Sequence, residues 1–264
     1  MFFYIDFFII MVEISGHRGC RTPHIENTAA AFRYCIENKI DWIEFDVKKT
    51  KDNQLIVFHD YRIDKLLNGK GIVEKFTLEK LRKFTYKDGQ TVITLEEFFE
   101  LIDHKIKPML EIKSRGIAEP VIKLVNKYGY EPSEIIIQSF IGRDILECYK
   151  LDPRPIYGKC LSVHGKSAIA KALGLQHAIA KFMYNQLVQK FPVVWLNIDG
   201  PFAYDEFMQL ALADNKKIIL GAMQTEKYLV KLKEWNVEIV NCDDPVRIKR
   251  ILSQKNGTWD SANF

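Results

Sequence analysis

Four segments in the first half of the sequence place ionisable side chains at the ends of apolar, strand-like stretches. They are His17-Arg18, Glu44-Phe-Asp46, His59-Asp60 and Glu111-Ile-Lys113. Each has an ordinary structural alternative, such as an exposed turn, a loop or a salt bridge within a strand. Buried charges are costly unless they are paired or ligated, so the repetition of the pattern is stronger than any one segment and indicates a functional site.

The acids and histidines of this set suit metal-assisted acid/base chemistry. Glu44, Asp46 and Glu111 offer hard oxygen ligands of the kind that Mg²⁺ or Ca²⁺ prefers. His17 and His59 can donate and accept protons near neutral pH. We therefore expect the three carboxylates to hold a divalent metal and the two histidines to act as catalytic acid and base.

The two cations of the set fit the binding of phosphoryl oxygens. Arg18 offers a planar fork of donors, and Lys113 acts as a point charge. Together with a metal, they could stabilise the charge that grows on phosphoryl oxygens in a transition state. The complete set is therefore sufficient for cleaving a phosphodiester, with Arg18 and Lys113 as substrate ligands.

The strand that carries the paired acids has two different faces. Side chains alternate along a strand, so Trp42, Glu44 and Asp46 share one side, while Ile43 and Phe45 share the other. A half-exposed strand would show the same alternation with its acids in solvent. If the site interpretation is right, the acids point into the mouth of a barrel and the apolar side faces helices.

Strand and helix patterns alternate along most of the chain. This alternation over about 250 residues predicts a (β/α)8 TIM barrel of the α/β class, whose chemistry gathers at the C-terminal ends of the strands. No GxGxxG motif follows the first strand, which disfavours a dinucleotide-binding sheet. The predicted strands are 12–17, 41–47, 54–59, 108–113, 134–139, 156–161, 193–198, 217–222 and 237–242. The predicted helices are 28–38, 77–84, one opening at Thr94-Leu-Glu-Glu97, 117–128, 142–150, 166–190, 203–214 and 225–235.

The domain prediction is a single barrel over residues 11–250. Residues 48–53, between the second and third strands, are too few for a helical crossover, so the local topology is left open. Residues 60–100 read as a small insertion after the third strand. Residues 1–10 are assigned to an N-terminal extension or a lead-in to the first strand, with Met11 as a possible start, and residues 251–264 to a polar tail.

Composition limits the classes of partner. The 264 residues are 47% hydrophobic and 27% charged, with a net charge of +4 spread along the chain, so nucleic acid is not an expected partner. The five cysteines form no CxxC motif, which favours free thiols and a cytoplasmic location. The apolar opening segment contains Asp6 and is shorter than the roughly 20 residues of a membrane span. We expect no stable membrane insertion and make no prediction of oligomeric state.

The chain resembles the glycerophosphodiester phosphodiesterase family, a TIM-barrel group. The resemblance covers residues 12 to about 250, with its specific motifs in the first third. It implies metal ligation by Glu44, Asp46 and Glu111, and acid/base roles for His17 and His59. The matching motifs are His17-Arg-Gly, Glu26-Asn-Thr28, Glu44-x-Asp46, Thr50-Lys-Asp52, His59-Asp60, Thr94-Leu-Glu-Glu97, Glu111-Ile-Lys113, Gln138-Ser-Phe140 and Asp243-Asp-Pro245.

The resemblance also implies a reaction. A glycerophosphodiester would yield an alcohol and sn-glycerol 3-phosphate, with one histidine activating the nucleophile and the other protonating the leaving oxygen. Which histidine does which, and whether a cyclic phosphate forms, stay open. The alternatives are a lysophospholipase D or a phosphatidylinositol-phospholipase-like enzyme acting on lipid diesters, and a barrel that binds phosphorylated ligands without turnover.

Two segments depart from the family pattern. Lys65-Leu66-Leu67 stands where an Arg-Thr pair is common, and Gly221-Ala-Met-Gln224 stands where a tryptophan follows the penultimate strand. Both positions belong to the wall of the cleft in such enzymes. The departures leave the phosphate chemistry intact and the preference for the leaving alcohol open, with the strand end Trp195–Asp199 as a candidate replacement for the missing wall.

Overall fold

Eight parallel strands close into a barrel in the computed structural model of the chain. The structure describes residues 12–161, 176–199, 205–223, 229 and 231–254. The strands are β1 (Glu13–Gly16), β2 (Trp42–Lys49), β3 (Leu55–Val57), β4 (Lys107–Ile112), β5 (Ile136–Ser139), β6 (Ile156–Leu161), β7 (Trp195–Asp199), β8 (Lys217–Met223) and β9 (Val237–Cys242). The barrel order is β1-β2-β4-β5-β6-β7-β8-β9, and β9 pairs in parallel with β1 to close the ring. The predicted (β/α)8 TIM barrel is confirmed.

Helices connect most of the barrel strands and pack on the outside. They are α1 (Ala29–Glu37), α2 (Leu78–Leu81), α3 (Leu95–Ile102), α4 (Ala118–Lys127), α5 (Gly142–Leu151), α6 (Gln176–Leu187), α7 (Asp205–Ala213) and α8 (Pro245–Gln254), with single 3₁₀ turns at Val73–Lys75 and Pro132–Glu134. The predicted helices over 166–190, 203–214 and 225–235 lie partly outside the described residues. Among the described helices, none has the length and apolar composition needed to cross a bilayer.

The extra strand β3 explains the short connection that the sequence left open. It runs antiparallel to the end of β2, with Val47 opposite Val57 and Lys49 opposite Leu55. A hairpin turn joins them, in which the Thr50 amide donates to the Gln54 carbonyl at 2.9 Å. Antiparallel neighbours need only a short turn, whereas parallel ones need a crossover. The strand β3 therefore lies outside the ring of eight.

Helix caps fix the two helices that flank this part of the barrel. Thr28 caps α1 by accepting a hydrogen bond from the Ala31 amide. At α3, where a helix was predicted to open, Thr94 accepts from the Glu97 amide while the Glu97 carboxylate accepts from the Thr94 amide, so a capping box forms. These caps set where each helix begins behind the site.

The two faces of β2 separate as predicted. On the outer face, Ile43, Phe45 and Val47 are fully buried in the main core against the helices. The Phe45 and Phe98 ring centroids lie 3.8 Å apart. On the inner face, Trp42 belongs to an apolar layer inside the barrel, formed also by Met109, Ile136, Trp195, Ile219 and Ile239. The acids of β2 therefore point inward, above an apolar floor.

The segment between β3 and α3 has a small core of its own. Val57 donates its amide to the Ile93 carbonyl at 2.9 Å, and Ile56 forms a bridge with Thr94, so the ends of the segment are joined. Its buried residues are Ile56, Phe58, Ile63, Leu67, Val73, Leu81, Tyr86 and Val92. This side cluster packs apart from the main core of the barrel.

Candidate active site

A cavity of about 160 Å³ opens at the C-terminal ends of the barrel strands. This is the end at which TIM barrels carry their chemistry. Its lining divides into a charged side and a largely neutral side. The charged side is formed by His17, Arg18, Glu44, His59, Glu111 and Lys113, and the other side by Phe140, Cys160, Leu161, Asn197, Asp199, Gly221 and Asn241.

The turn after β1 is shaped by hydrogen bonds to Glu44. Arg18 and Gly19 have φ of +55° and +80°, a region that glycine adopts without strain. The Arg18 amide donates to Glu44 Oε2 at 2.8 Å, and the Gly19 amide donates to the Glu44 carbonyl at 3.1 Å. A Cβ on Gly16 would lie 2.8 Å from Cys35 Sγ, so only glycine fits where β1 ends. The turn thereby holds His17 and Arg18 against the end of β2.

Each predicted catalytic histidine is oriented by a carboxylate. His17 Nδ1 lies 2.7 Å from Asp243 Oδ1, and His59 Nδ1 lies 2.7 Å from Asp60 Oδ1. Such contacts fix a ring orientation and leave Nε2 as the reactive nitrogen. His17 Nε2 lies 4.0 Å from Glu44 Oε2. Burial lowers the pKa of His59, which favours its neutral form.

The three predicted metal ligands form one buried cluster. Glu44, Asp46 and Glu111 each offer an oxygen within 4.8 Å of the others. Asp46 Oδ1 and Glu111 Oε1 are buried without a hydrogen bond, although Lys113 Nζ forms ion pairs with both, at 3.4 Å from Asp46 Oδ1. Buried carboxylate oxygens with spare lone pairs are suited to a cation. The donor set therefore fits Mg²⁺ or Ca²⁺.

The acids of the cluster differ in proton affinity. Burial raises the pKa of Glu44 well above its usual range, and the charges of Asp46 and Glu111 raise it further. Burial also raises the pKa of Glu111 to about 7, despite the opposing charge of Lys113. For Asp46 burial acts in the same direction, but the nearby positive charges, led by Lys113, lower the pKa to about 2. Asp46 is thus the acid most firmly held as a carboxylate.

The two cations are held by the acids around them. Arg18 Nη1 donates to Glu26 Oε1 at 2.8 Å, and Arg18 Nε lies 3.5 Å from Asp46 Oδ2. Burial disfavours the charge on Arg18, but Asp46, Glu26 and Glu44 outweigh it and raise the pKa. Burial likewise opposes the charge on Lys113, whose pKa Asp46 and Glu111 raise. Both side chains therefore stay cationic at the cavity wall.

Several supporting residues have no role in the sequence-based prediction. Asn27 Nδ2 donates to Asp46 Oδ2 at 2.8 Å, and Arg21 Nη2 lies 3.1 Å from Glu26 Oε2. Asp243, which orients His17, follows β9 directly. Its position at the end of a barrel strand is the same signal that identified the other acids, and could have identified it too.

A second group of possible ligands lies beside the first. Glu26, His59 and Asp60 have ligand atoms within 4.8 Å of one another. Glu26 already pairs with Arg18 and Arg21, and His59 already contacts Asp60. These contacts account for the group as a set of supports around His59.

The structure brings the seven predicted site residues together. Six of them line the cavity, and Asp46 lies beside them in the carboxylate cluster. The opposite wall was less visible in the sequence. Gly221 belongs there to a departure from the family pattern and Asn197 to the strand end that could replace the missing wall, whereas Cys160 and Asn241 were not singled out.

Comparison with known proteins gives a family match over most of the chain. The model described as "Glycerophosphoryl diester phosphodiesterase family" matches residues 17–247. A glycerophosphodiester phosphodiesterase of Caldanaerobacter subterraneus subsp. tengcongensis is 39% identical over 153 residues, which cover 53% of this chain and 63% of that protein. The chain thus spans less than two thirds of that relative's length. A glycerophosphodiester phosphodiesterase of Bacillus altitudinis is 31% identical over 231 residues, covering 73% of this chain and 94% of that protein.

A solved structure has the same fold. It is that of an Oleispira antarctica phosphodiesterase in complex with the product sn-glycerol-3-phosphate. The TM-score is 0.75 at 21% identity, and the match covers 91% of this chain and 96% of that one. At this identity the likeness establishes the barrel fold alone.

Proposed function

The chain belongs to the glycerophosphoryl diester phosphodiesterase family, and we propose that it is a metal-dependent phosphoric diester hydrolase. Its substrates would be glycerophosphodiesters, cleaved to an alcohol and sn-glycerol 3-phosphate. The observation that carries the proposal is the cluster of three buried carboxylates, Glu44, Asp46 and Glu111, in the cavity that two histidines also line. The names of the relatives at 39% and 31% identity support the same activity.

The proposed metal site consists of Glu44, Asp46 and Glu111. A divalent cation bound there would polarise the phosphoryl oxygens and offset their negative charge. All-oxygen ligation suits Mg²⁺ and Ca²⁺ equally, so the choice between them is left to titration.

The remaining side chains act directly on the substrate in this proposal. Arg18 and Lys113 hold the phosphoryl group, because both stay cationic at the cavity wall. One histidine takes a proton from the nucleophile, which is water or the neighbouring glycerol hydroxyl, and the other gives a proton to the leaving oxygen. The contacts of His17 with Asp243 and of His59 with Asp60 support this division, since each carboxylate can stabilise an imidazolium while its Nε2 exchanges the proton.

The activity is testable with purified protein and glycerophosphocholine. Release of sn-glycerol 3-phosphate, followed by a coupled dehydrogenase assay, should require a divalent metal, stop with EDTA and return with excess Mg²⁺ or Ca²⁺. His17→Ala and His59→Ala should each lower kcat/KM by roughly 10²- to 10⁴-fold.

A histidine away from the site provides the control. His104 Nε2 donates to the Tyr128 carbonyl, and the His104 ring stacks on Tyr130, outside the cavity. His104→Asn should keep wild-type activity. No turnover of glycerophosphodiesters with any of several head groups, in metal-loaded folded protein, would overturn the proposal.

A lipid diester is the second candidate substrate. Tyr61, Phe140 and Ile141 are large apolar residues exposed by 64%, 47% and 41%. Phe140 lines the cavity, and Tyr61 follows the Asp60 that holds His59. Such side chains could contact an acyl chain or a micelle. Hydrolysis of micellar lysolipid without hydrolysis of water-soluble diesters would favour this lysophospholipase D-like activity.

Other expectations from the sequence stay predictions. They are the single domain over 11–250 with its insertion at 60–100, the absence of nucleic-acid partners and the cytoplasmic location. The location is supported by the five cysteines, all of which are free and buried.

A further inference from the structure

A layer of uncharged polar side chains lies inside the barrel opposite the charged residues. Gln138, Asn197 and Asn241 project inward from β5, β7 and β9, and are exposed by only 0%, 9% and 2%. Asn197 and Asn241 line the cavity. The apolar layer of the barrel interior lies one inward-facing position earlier on each of these strands, at Ile136, Trp195 and Ile239. The amides thus form a polar floor on this side of the cavity.

The polar floor has hydrogen-bonding capacity that the described residues leave unused. Asn197 Nδ2 donates to Gln138 Oε1 at 3.0 Å, which orients both amides. Gln138 Nε2 and Asn241 Oδ1 are buried and have no hydrogen-bond partner in the described chain. A buried polar atom without a hydrogen bond destabilises the folded state. Such atoms beside a cavity indicate a group that completes their hydrogen bonds.

Gly221 makes room for the floor. A Cβ on Gly221 would lie 2.1 Å from Asn197 Oδ1 and 3.4 Å from the Ile198 carbonyl oxygen. Any larger residue at 221 would therefore push the Asn197 amide out of its position. The Asn197 amide therefore keeps its position because residue 221 has no side chain.

The chemistry of the floor favours hydroxyl groups over cations. A hydroxyl can donate to the Asn241 oxygen and can also accept, as a neutral amide lining requires. A quaternary ammonium has no hydrogen to donate. A cationic group would face Arg18 and Lys113 across the cavity, with Asp199 as a carboxylate on the same side as the amides. A ligand group that is neutral and rich in hydroxyls satisfies the floor without adding buried charge.

We propose that Asn197 and Asn241, given room by Gly221, form a subsite for the hydroxyl groups of an alcohol arm of the diester. The inference rests on the proposed phosphodiesterase activity and adds a determinant of substrate preference to it. Both arms of a glycerophosphodiester can supply this chemistry, as the retained glycerol or as a leaving polyol. A few well-placed polar groups in a pocket commonly fix ligand orientation in this way.

The test compares three diesters on three proteins. The substrates are glycerophosphoglycerol, with hydroxyls on both arms, glycerophosphocholine, with hydroxyls on one arm, and ethyl p-nitrophenyl phosphate, with none. The proteins are wild type, Asn241→Leu and the control Asn185→Leu, which changes an exposed amide on the outer helix α6. Loss of one hydrogen bond of about 1.4 kcal/mol corresponds to a tenfold lower kcat/KM.

The pattern across substrates identifies the arm. A tenfold loss in Asn241→Leu on both glycerol diesters, with ethyl p-nitrophenyl phosphate unchanged, assigns the floor to the retained glycerol. A loss confined to glycerophosphoglycerol assigns it to the leaving polyol. Gly221→Ala should give the same pattern, because its methyl group displaces the Asn197 amide. Equal losses on all three substrates, or no loss on any, would overturn the proposal.

A binding measurement separates this proposal from the proposed function. Calorimetry compares sn-glycerol 3-phosphate with propyl phosphate, which lacks the two hydroxyls. Wild type should bind the first about tenfold more tightly, and Asn241→Leu should bind both alike. This result would stand even if no diester were hydrolysed. If the floor instead serves the leaving polyol, the preference should stay unchanged and the kinetic loss should appear on glycerophosphoglycerol alone. An unchanged preference without that kinetic loss would overturn the subsite.

Discussion

Buried polar groups are stabilised differently on the two sides of the barrel mouth. On the side built by β1 to β4, each charge has a charged or amide partner, such as Asp243 for His17 and Asn27 for Asp46. On the side built by β5 to β9, neutral amides pair only in part, and Asn241 keeps an unpaired oxygen. The charged side chains are oriented by one another, with Asp46 Oδ1 and Glu111 Oε1 left for the proposed metal, whereas the amides are left to be completed by a neutral ligand.

We relate this difference to two functions, catalysis at the phosphoryl group and discrimination among alcohols. Charged groups that must act on a phosphoryl centre have to be oriented in advance, because reorganisation during reaction is costly. Neutral groups that discriminate among alcohols only need unused hydrogen-bonding capacity facing the ligand. We therefore expect changes on the charged side to alter catalysis for every substrate, and changes on the neutral side to alter preference among substrates.

The largest expected effect is that of Asp46→Asn. The change removes the acid with the lowest pKa of the cluster and one charge that Lys113 and Arg18 share, while keeping the side-chain volume. Loss of a metal ligand and its charge should lower kcat/KM by on the order of 10³ for all diesters. Calorimetry should show weaker Mg²⁺ or Ca²⁺ binding. The exposed Asp103→Asn serves as the matched control, and a threefold or smaller effect of Asp46→Asn would contradict a central role for this acid.

A smaller effect is expected where a carboxylate only orients a histidine. Asp243→Asn and Asp60→Asn keep a side chain near His17 and His59 but remove the charge that stabilises the imidazolium. Changes to such supporting partners cost about 10- to 100-fold, so kcat should fall with little change in KM and a shifted pH profile. The reductions should be equal for choline and glycerol head groups. A change in head-group preference would contradict the expectation that only the neutral side determines substrate preference.

The smallest effect concerns stability. Burial raises the pKa of Glu111 from 4.5 to about 7, so the folded, metal-free protein holds a proton that the unfolded chain releases between these values. Its free energy of unfolding should therefore fall as pH rises from about 4.5 to 7, by at most about 1.4 kcal/mol per pH unit for one proton. Below pH 4.5 this contribution is constant.

Chemical denaturation with EDTA at a series of pH values measures this slope. Glu111→Gln should make it shallower, since the variant lacks the Glu111 proton, whereas Glu44, whose pKa burial also raises, still contributes. Asn241→Leu, on the side of the barrel whose amides do not titrate, should keep the wild-type slope. Parallel curves for wild type and Glu111→Gln would show that burial of this acid is not what the pH dependence reports.

The charged side was predictable from the sequence and the neutral side was not. Acids and histidines contrast with an apolar strand, so Glu44 and His59 stand out, and the two-residue period then predicts their direction. Asparagine is common in turns and at strand ends, so Asn241 does not stand out from the sequence around it. The role of Gly221 depends on its distance to Asn197 on a neighbouring strand, which no local pattern encodes.

The pairing of the additional strand β3 could not be predicted from the sequence. The sequence identified β3 as a strand but could not say that it pairs outside the ring, because pairing partners depend on chain direction. The connection between β2 and β3 is too short for a crossover helix. The structure shows that it is a hairpin turn at residues 50–54. Asp243 belongs to one of the matching motifs, but its role could not be predicted, because its partner His17 lies 226 residues away in the sequence.

The closed ends of the segment between β3 and α3 make that segment exchangeable. Ile56 bridges to Thr94 and Val57 donates to the Ile93 carbonyl, so the strand leading to His59 is tied down independently of what lies between. We therefore expect residues between Asp60 and Ile93 to tolerate replacement where the segment's other hydrogen bonds to the barrel are kept, such as those from the Ala30 amide to Gln90 and from Ser114 to Glu74. For protein engineering, this segment is a place where new cleft walls could be introduced beside an unchanged reaction centre.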